Sequence, residues 1–301
     1  MDINLFKQFI REERPKKMLS PFELAYKSFD ELGFTTKDRD YFFQNASLIV
    51  EEVRAKSWEK FLLDEGEFSS YVYEQLIDKN AVEKMSKVEA IKWFTSKFTD
   101  HIYALSLSNT QSRRSRAGNE FETIIELILM GAGIPFDTQG SIGSGIFESS
   151  HLAKMVDCVS PGASEYRLDK RNTSLISAKT TLRERWQEVG DEMARTMARE
   201  MYLATLDDNI SQNVIQLIGK NNIILVTTKD NKETLYKSSP YVISFERMIE
   251  ELKTKSMVWE SYVYPEEELN DKIKQYKIQI EKFEDKPFVA NYYKEQIDSL
   301  R

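Results

Sequence analysis

The chain has 301 residues, 41% hydrophobic and 30% charged, the balance of an ordinary globular protein long enough for one large core or two modest ones. Its formal net charge of −7 argues against a general polyanion binder, though not against an enzyme that gathers its cations along one cleft. One cysteine, Cys158, excludes an intrachain disulfide and a Cys-based zinc cluster, and His101 and His151 are the only imidazoles available to a metal site or a Ser-His-Asp triad.

The start, Met1-Asp2-Ile3-Asn4, lacks the basic and then apolar pattern of a secretory signal. No apolar run reaches the length of a membrane span, so a cytoplasmic protein without membrane contact is expected. The first hundred or so residues read as helices. Phe22, Leu24, Ala25, Phe29 and Leu32 form a helical stripe that stops at Gly33. A second helical run covers Tyr41 to Leu63, and Val82 to Leu105 holds one or two more. The polar stretch Ser106 to Arg116 reads as a loop, dividing a helical N-terminal region (1–105) from a second unit (106–301).

Phe121, Ile124, Ile125, Ile128 and Leu129 then form the buried face of a helix ending near Gly131 and Gly133. Gly140 to Gly145 is turn-rich. Met155 to Val159 reads as a strand before Pro161-Gly162, and Thr173 to Ala178 as another. A long helix is predicted from Leu182 to Ala204, a β-branched strand from Ile223 to Thr227, and a fourth strand from Tyr241 to Phe245 running into a helix from Glu246. The segment Pro265 to Lys282 reads as helical. Strands alternating with helices give an α/β core, a central mixed sheet flanked by helices, with a helical N-terminal layer.

The residues that carry chemistry are Asp157, Lys179 and Glu192. Asp157 lies in one predicted strand and Lys179 ends the next, so a hairpin brings them together. Phosphodiester hydrolysis needs carboxylates for a divalent ion, an attacking water, and a cation near the developing charge. The pattern PD…(D/E)xK places its second acid two residues before the lysine, where this chain has Ser177. Trp186, Val189, Met193 and Met197 give the following helix an apolar stripe, with Glu192 at its edge. The resulting hypothesis has Asp157 and Glu192 ligating the metal while Lys179 positions the water. Spacing alone leaves a plainer arrangement equally open, with Lys179 on a solvated edge and Glu192 paired to Arg195 or Arg199.

Beyond the lysine, Thr180-Thr181-Leu182-Arg183-Glu184-Arg185 leads into the helix N-terminus, where major-groove readers present their side chains. Arginine pairs bidentately with guanine and glutamate accepts from cytosine, so Arg183, Glu184 and Arg185 suit adjacent G·C pairs. The alternative is a solvated, mixed-charge helix start, although two arginines there oppose the helix dipole.

The run Ser177-Ala178-Lys179-Thr180-Thr181-Leu182-Arg183-Glu184-Arg185-Trp186, with Asp157 upstream and Glu192 downstream, resembles the SsoII, EcoRII, PspGI and NgoMIV group of type II restriction endonucleases. That group carries its second metal carboxylate on the helix after the strand, which accounts for Ser177. The likeness is strongest to the SsoII-like branch, which cuts before CCNGG, and takes in Arg54, Trp58, Gln111 and Arg116 to Glu122. It implies a restriction-endonuclease-like core, Mg²⁺ as cofactor, double-stranded DNA as substrate, and a homodimer with one active site per strand. A cognate DNA methyltransferase would protect the same site without needing to bind the enzyme. By resemblance, Arg183, Glu184 and Arg185 read the inner G·C pairs, Gln111 the outer pair, and Glu122 is a further acid near the metal. Arg54 and Trp58, four apart on one helix face, are read from the residues alone as a half-buried tryptophan with a cation–π neighbour. The resemblance instead makes them the pocket for a flipped central nucleotide.

Two other DNA-directed readings remain at this level, a repair nuclease with the same chemistry and a G·C-reading regulator that does not cut. A protein-interaction scaffold is the third.

Overall fold

The computed structural model describes residues 1–139, 152, 156–182 and 186–300. The N-terminal layer begins with Ile3–Lys17 (α1), capped by the Asp2 carboxylate, and Pro21–Glu31 (α2), capped by Ser20 with a proline in its first turn. Gly33, at φ 77°, turns the chain out of α2 as the stop signal predicted. Two long helices then dominate, Arg39–Glu74 (α3), kinked at Asn45, and Thr99–Gly131 (α6). Between them lie the short Lys79–Val82 (α4) and Lys87–Lys97 (α5), the latter opened by a reciprocal Ser86–Glu89 capping box.

The rest of the chain builds a six-stranded sheet. Its elements are Asp137–Thr138 (β1), Cys158–Ser160 (β2), Ala163–Leu168 (α7), Ser174–Lys179 (β3), Trp186–Thr196 (α8), Met201–Thr205 (β4), Gln212–Lys220 (α9), Ile223–Thr227 (β5), Lys229–Thr234 (α10) and Val242–Ser244 (β6). Phe245–Ser256 (α11), Glu266–Lys282 (α12) and Pro287–Ser299 (α13) close the chain. The strand order is β1-β2-β3-β4-β5-β6, antiparallel across β1-β2 and β2-β3 and parallel from β3 onward, which makes the sheet mixed as expected.

Strand alternation sorts the side chains onto two cores. Ile176, Ala178, Tyr202, Ala204 and Val226 face α2, α3, α6, α11 and α13. Leu175, Met201, Leu203 and Leu225 face the opposite way, toward Val189 of α8 and Ile215 and Ile218 of α9. A third cluster packs Phe6 and Ile10 of α1 against Phe61, Phe68 and Val72 of α3 and Leu105 of α6. Lys272 of α12 and Glu165 of α7 form an ion pair with side chains only 4% and 0% exposed, joined by the Tyr264 hydroxyl, and this ties the C-terminal helices to the sheet edge. No described helix is long and apolar enough to cross a membrane.

Three expectations are corrected. Ser106 to Arg116 is not a loop: α6 runs unbroken through it, so the division drawn at 105/106 falls inside a helix. The predicted helix from Leu182 to Ala204 ends at Thr196, and Met201–Thr205 is instead a central strand. Met197 accordingly leaves the apolar stripe, with φ at 54° and 73% of its surface exposed. The turn-rich Gly140 to Gly145 lies outside the described residues.

One core position is unusual. Glu126, in the middle of the buried face of α6, is 3% exposed, and its Oε2 has no hydrogen-bond partner among the described residues. Burial pushes its carboxyl up to about 8, against a hydrogen bond from Thr138 that pulls it down, and the negative charges of Glu122 and Asp157 add to the rise. The unfolded chain gives up this proton near the ordinary value of 4.5, whereas the folded chain holds it to about 8. This group's stabilising contribution is therefore complete below about pH 4.5 and is lost progressively as pH rises to about 8, by up to about 1.4 kcal/mol per pH unit. Glu126→Gln, which keeps the shape and an acceptor for Thr138, should flatten that decline. Thermal melts from pH 5 to pH 8.5 should show the variant gaining on the parent as pH rises; parallel curves would refute the assignment.

Candidate active site

Strand parity assembles the site. Cys158 pairs with Ile176 across the antiparallel β2-β3 ladder, so Asp157, one residue before β2, stands opposite Ser177, and its amide donates to the Ile176 carbonyl at 3.1 Å. Ser177 and Lys179 alternate with Ile176 and Ala178 and therefore share the face on which α8 packs. Val189 anchors α8 to that face, fully buried, and Glu192 follows three positions later, on the same side of the helix. The hairpin and the helix thus deliver three distant side chains to the end of β3.

They converge. Lys179 Nζ lies 3.6 Å from Asp157 Oδ2 and 3.8 Å from Glu192 Oε1, with side chains 10%, 24% and 16% exposed respectively. Asp157 Oδ2 also accepts from the Ala178 amide at 2.6 Å and from the Ser177 hydroxyl at 3.3 Å. The plainer pairing of Glu192 with Arg195 or Arg199 is not formed. Burial raises the Glu192 carboxyl above its ordinary range; Lys179 opposes the rise, the Asp157 charge adds to it, and hydrogen bonding from Ser177 opposes it. The position where the common nuclease pattern has an acid is filled by a serine, and the carboxylate arrives from the helix instead.

The donor set suits a hard divalent cation. Its oxygens are carboxylate oxygens, Glu192 Oε2 is buried without a hydrogen-bond partner among the described residues, and two acids facing one ammonium leave the site short of positive charge. Asp157 and Glu192 are the residues that would hold such an ion. Glu122 is half-buried on α6, one turn before Glu126 and within electrostatic reach of it, as is Asp157. Neither Glu126 nor its electrostatic link to Asp157 was read from the sequence, although a glutamate among Ile124, Ile125, Leu127 and Ile128 is itself a signal. His101 does not contribute to the site. His101 is buried between Phe6 and Phe98 with Nε2 3.2 Å from the Met1 carbonyl, and His151 lies outside the described residues.

Arg183, Glu184 and Arg185 also lie outside the described residues, but both flanks are fixed. The Leu182 amide donates to Asp207 Oδ2 at 2.9 Å, pinning the lead-in to the loop after β4, and Trp186 opens α8. Asp207 is a second residue that sequence reasoning missed. Of the basic run at 113–116, Arg113 bonds the buried Glu65, and Arg116 bonds the Leu19 carbonyl and stacks 4.9 Å from the Phe61 ring centroid. Gln111 is exposed on α6.

Arg54 and Trp58 share a face of α3 as their spacing required. Trp58 is 36% exposed, with its ring centroid 5.3 Å from that of Phe61, and no cation sits over it among the described residues. The expected cation–π neighbour is therefore absent from the described structure. Glu120 of α6, only 4% exposed, lies in the field of both Arg54 and Arg116; burial pushes its carboxyl up to about 7, and the two guanidiniums oppose this.

Residues 79–249, more than half of the chain, match a family model described as EcoRII C terminal. The chain is 46% identical over 295 residues to the type II restriction enzyme SsoII of Shigella sonnei, covering 98% of this chain and 97% of that enzyme. Among solved structures, metal-depleted Ecl18kI in complex with uncleaved, modified DNA superposes with a TM-score of 0.92 at 44% identity and covers 100% of both chains. The PspGI–substrate DNA complex, at 17% identity, TM-score 0.56 and coverage of 80% of this chain and 94% of that one, shares the fold. With the Asp157–Lys179–Glu192 convergence set on that fold, the chain belongs to the EcoRII C-terminal family and is a type II restriction endonuclease of the SsoII kind.

Proposed function

We propose that this endonuclease makes Mg²⁺-dependent double-strand cuts at a short G·C-rich palindrome, CCNGG, as a homodimer with one active site per strand. The observation that carries the reading is Lys179 Nζ held 3.6 Å from Asp157 and 3.8 Å from Glu192 at one end of the sheet. Asp157 and Glu192 would hold the ion, with Glu122 as a further acid toward it. When bound, Mg²⁺ supplies Lewis-acid polarisation of the scissile phosphate. Lys179 positions the attacking water and faces the negative charge that develops on the phosphate. The Ala178 amide and the Ser177 hydroxyl fix the Asp157 carboxylate, so the strand backbone sets the site's geometry.

Substrate recognition follows from side-chain chemistry. Arg183, Glu184 and Arg185, between the Asp207-pinned Leu182 and α8, read the inner G·C pairs, and Gln111 reads the outer pair. Both Ecl18kI and PspGI are described in complex with DNA, which supports duplex DNA as the partner here. The host's own copies of the site are protected by a cognate methyltransferase that need not bind the enzyme. Digestion of a sequenced plasmid with Mg²⁺ should give discrete fragments whose ends map to CCNGG on both strands. Asp157→Ala should cut slower by several orders of magnitude while binding a cognate duplex as before. Ends scattered over unrelated sequences, or an alanine variant that still cuts, would overturn the reading.

The central base pair is handled by flipping. The exposed face of Trp58 has no cation over it among the described residues, and Arg54 beside it is held in the field of the buried Glu120. Stacking on such a platform contributes ~1–3 kcal/mol per base and offsets much of the unstacking cost. With 2-aminopurine at the central position, fluorescence should rise when the enzyme binds, and Trp58→Ala should abolish the rise. A cognate complex showing no increase would end this part of the proposal.

A further inference from the structure

A cleft of about 700 Å³ opens between α1 and α6, away from the Asp157–Lys179–Glu192 site. Two walls of opposite character face each other across it. On α1, Lys7, Arg11 and Arg14 recur at helical spacing, and at about 100° per residue they fall within roughly 60° of one another. The acids of the same helix, Glu12 and Glu13, lie roughly 100° or more around from that stripe. On α6, Ser108, Gln111 and Ser112 line the opposite wall.

Two packed helices ordinarily meet through apolar side chains, as α1 and α6 do nearby at Phe6 and Leu105. Along the cleft they part, and beside apolar lining from Ile10, Met18, Ala104 and Leu107 they present cations on one side and hydroxyl and amide groups on the other. Arg14 is committed, bonding Ser108 at 3.1 Å and Asn109 at 2.6 Å with its guanidinium 4.6 Å from the Phe68 ring centroid. It braces the wall. Lys7 and Arg11 are exposed and make no ion pair with any described residue. In a chain of net charge −7, two unpaired cations beside a braced arginine and a row of small donors mark an anion site.

We infer that this cleft seats the DNA sugar–phosphate backbone beside the outer base pair of the recognition site, with Lys7 and Arg11 as its phosphate contacts. The inference rests on the DNA-cutting reading above and extends it, since Gln111, assigned there to the outer pair, is itself part of the cleft wall. Hydroxyl and amide groups complement phosphate oxygens as the two cations do, and backbone contacts of this kind fix register without reading sequence. An acidic protein surface is the rival occupant.

The test is equilibrium binding without divalent metal, measured by anisotropy on a labelled duplex containing CCNGG and on one of equal length lacking it, from 50 to 200 mM NaCl. Each phosphate contact contributes about 0.9 to the slope of log K against log salt, so Lys7→Gln/Arg11→Gln should flatten the slope by about 2. The variant's affinity loss across that salt range should then be about tenfold smaller than the parent's. Affinity at low salt should fall by the same factor on both duplexes. Both positions are on the surface, so the fold, checked by circular dichroism, should be kept. A parent that binds CCNGG selectively beside a variant with the parent's slope would refute the cleft alone. A parent that binds neither duplex would refute the DNA reading and the cleft with it.

Discussion

Two carboxylates brought together in a partly dehydrated site repel each other. Asp157 and Glu192 are tolerated at the end of β3 because the Lys179 ammonium stands within 4 Å of both. That single cation between two anions is the constraint around which the local structure is arranged. It requires that Lys179 end a buried strand, that Asp157 pair across from Ser177, and that α8 dock with Glu192 turned inward. The balance remains negative by one charge, and Glu192 has a raised proton affinity chiefly because it is buried, with the Asp157 charge adding to the rise. A divalent cation answers that negative balance in the proposed mechanism.

Much of this was legible because alternation and register are sequence properties. A strand before Pro161 and another ending at Lys179 define a hairpin, and the hairpin fixes which side chains share a face. The helix-borne acid was placed by Val189, a reliable marker of the inward side. What failed were continuities. Met193, Met197 and Met201 recur every four residues and mimic a helix, yet the helix stops at Thr196 and Met201 opens a central strand. Once β4 is buried on both faces, its composition of Met, Tyr, Leu, Ala and Thr carries no alternation to distinguish it from a helix. Ser106 to Arg116 failed in the opposite sense. It has no apolar stripe of its own because that length of α6 borders an open cleft through Ser108, Gln111 and Ser112, and a helix without an apolar face reads as a loop.

The buried acids of α6 connect the N-terminal layer to the sheet edge that carries Asp157. Glu120 sits in the field of Arg54 and Arg116, and Glu126, four residues plus two further on, in the field of Asp157. A single rigid helix therefore carries Gln111, Glu120, Glu122 and Glu126 in fixed relation. Had the chain broken into a loop near position 106, the wall that holds Gln111 would be free to move independently of the sheet. Continuity of α6 couples the two, and it does so through packing: Phe121 and Leu127 to Met130 are buried against the sheet-side core while Leu105 is buried in the N-terminal one.

The same arrangement explains how an acidic protein serves a polyanionic substrate. Of the arginines in the 113–116 run, Arg113 and Arg116 are used to hold helices together, through Glu65 and the Leu19 carbonyl. A basic cluster in sequence is thus not by itself a basic surface. Lys7 and Arg11, which make no ion pair among the described residues, are separated from each other in sequence by three uncharged residues, and they become neighbours of Gln111 only when α1 lies against α6. In the proposed reading, charge that matters for binding is assembled by tertiary packing, while the chain's net charge of −7 works against non-specific attachment of DNA.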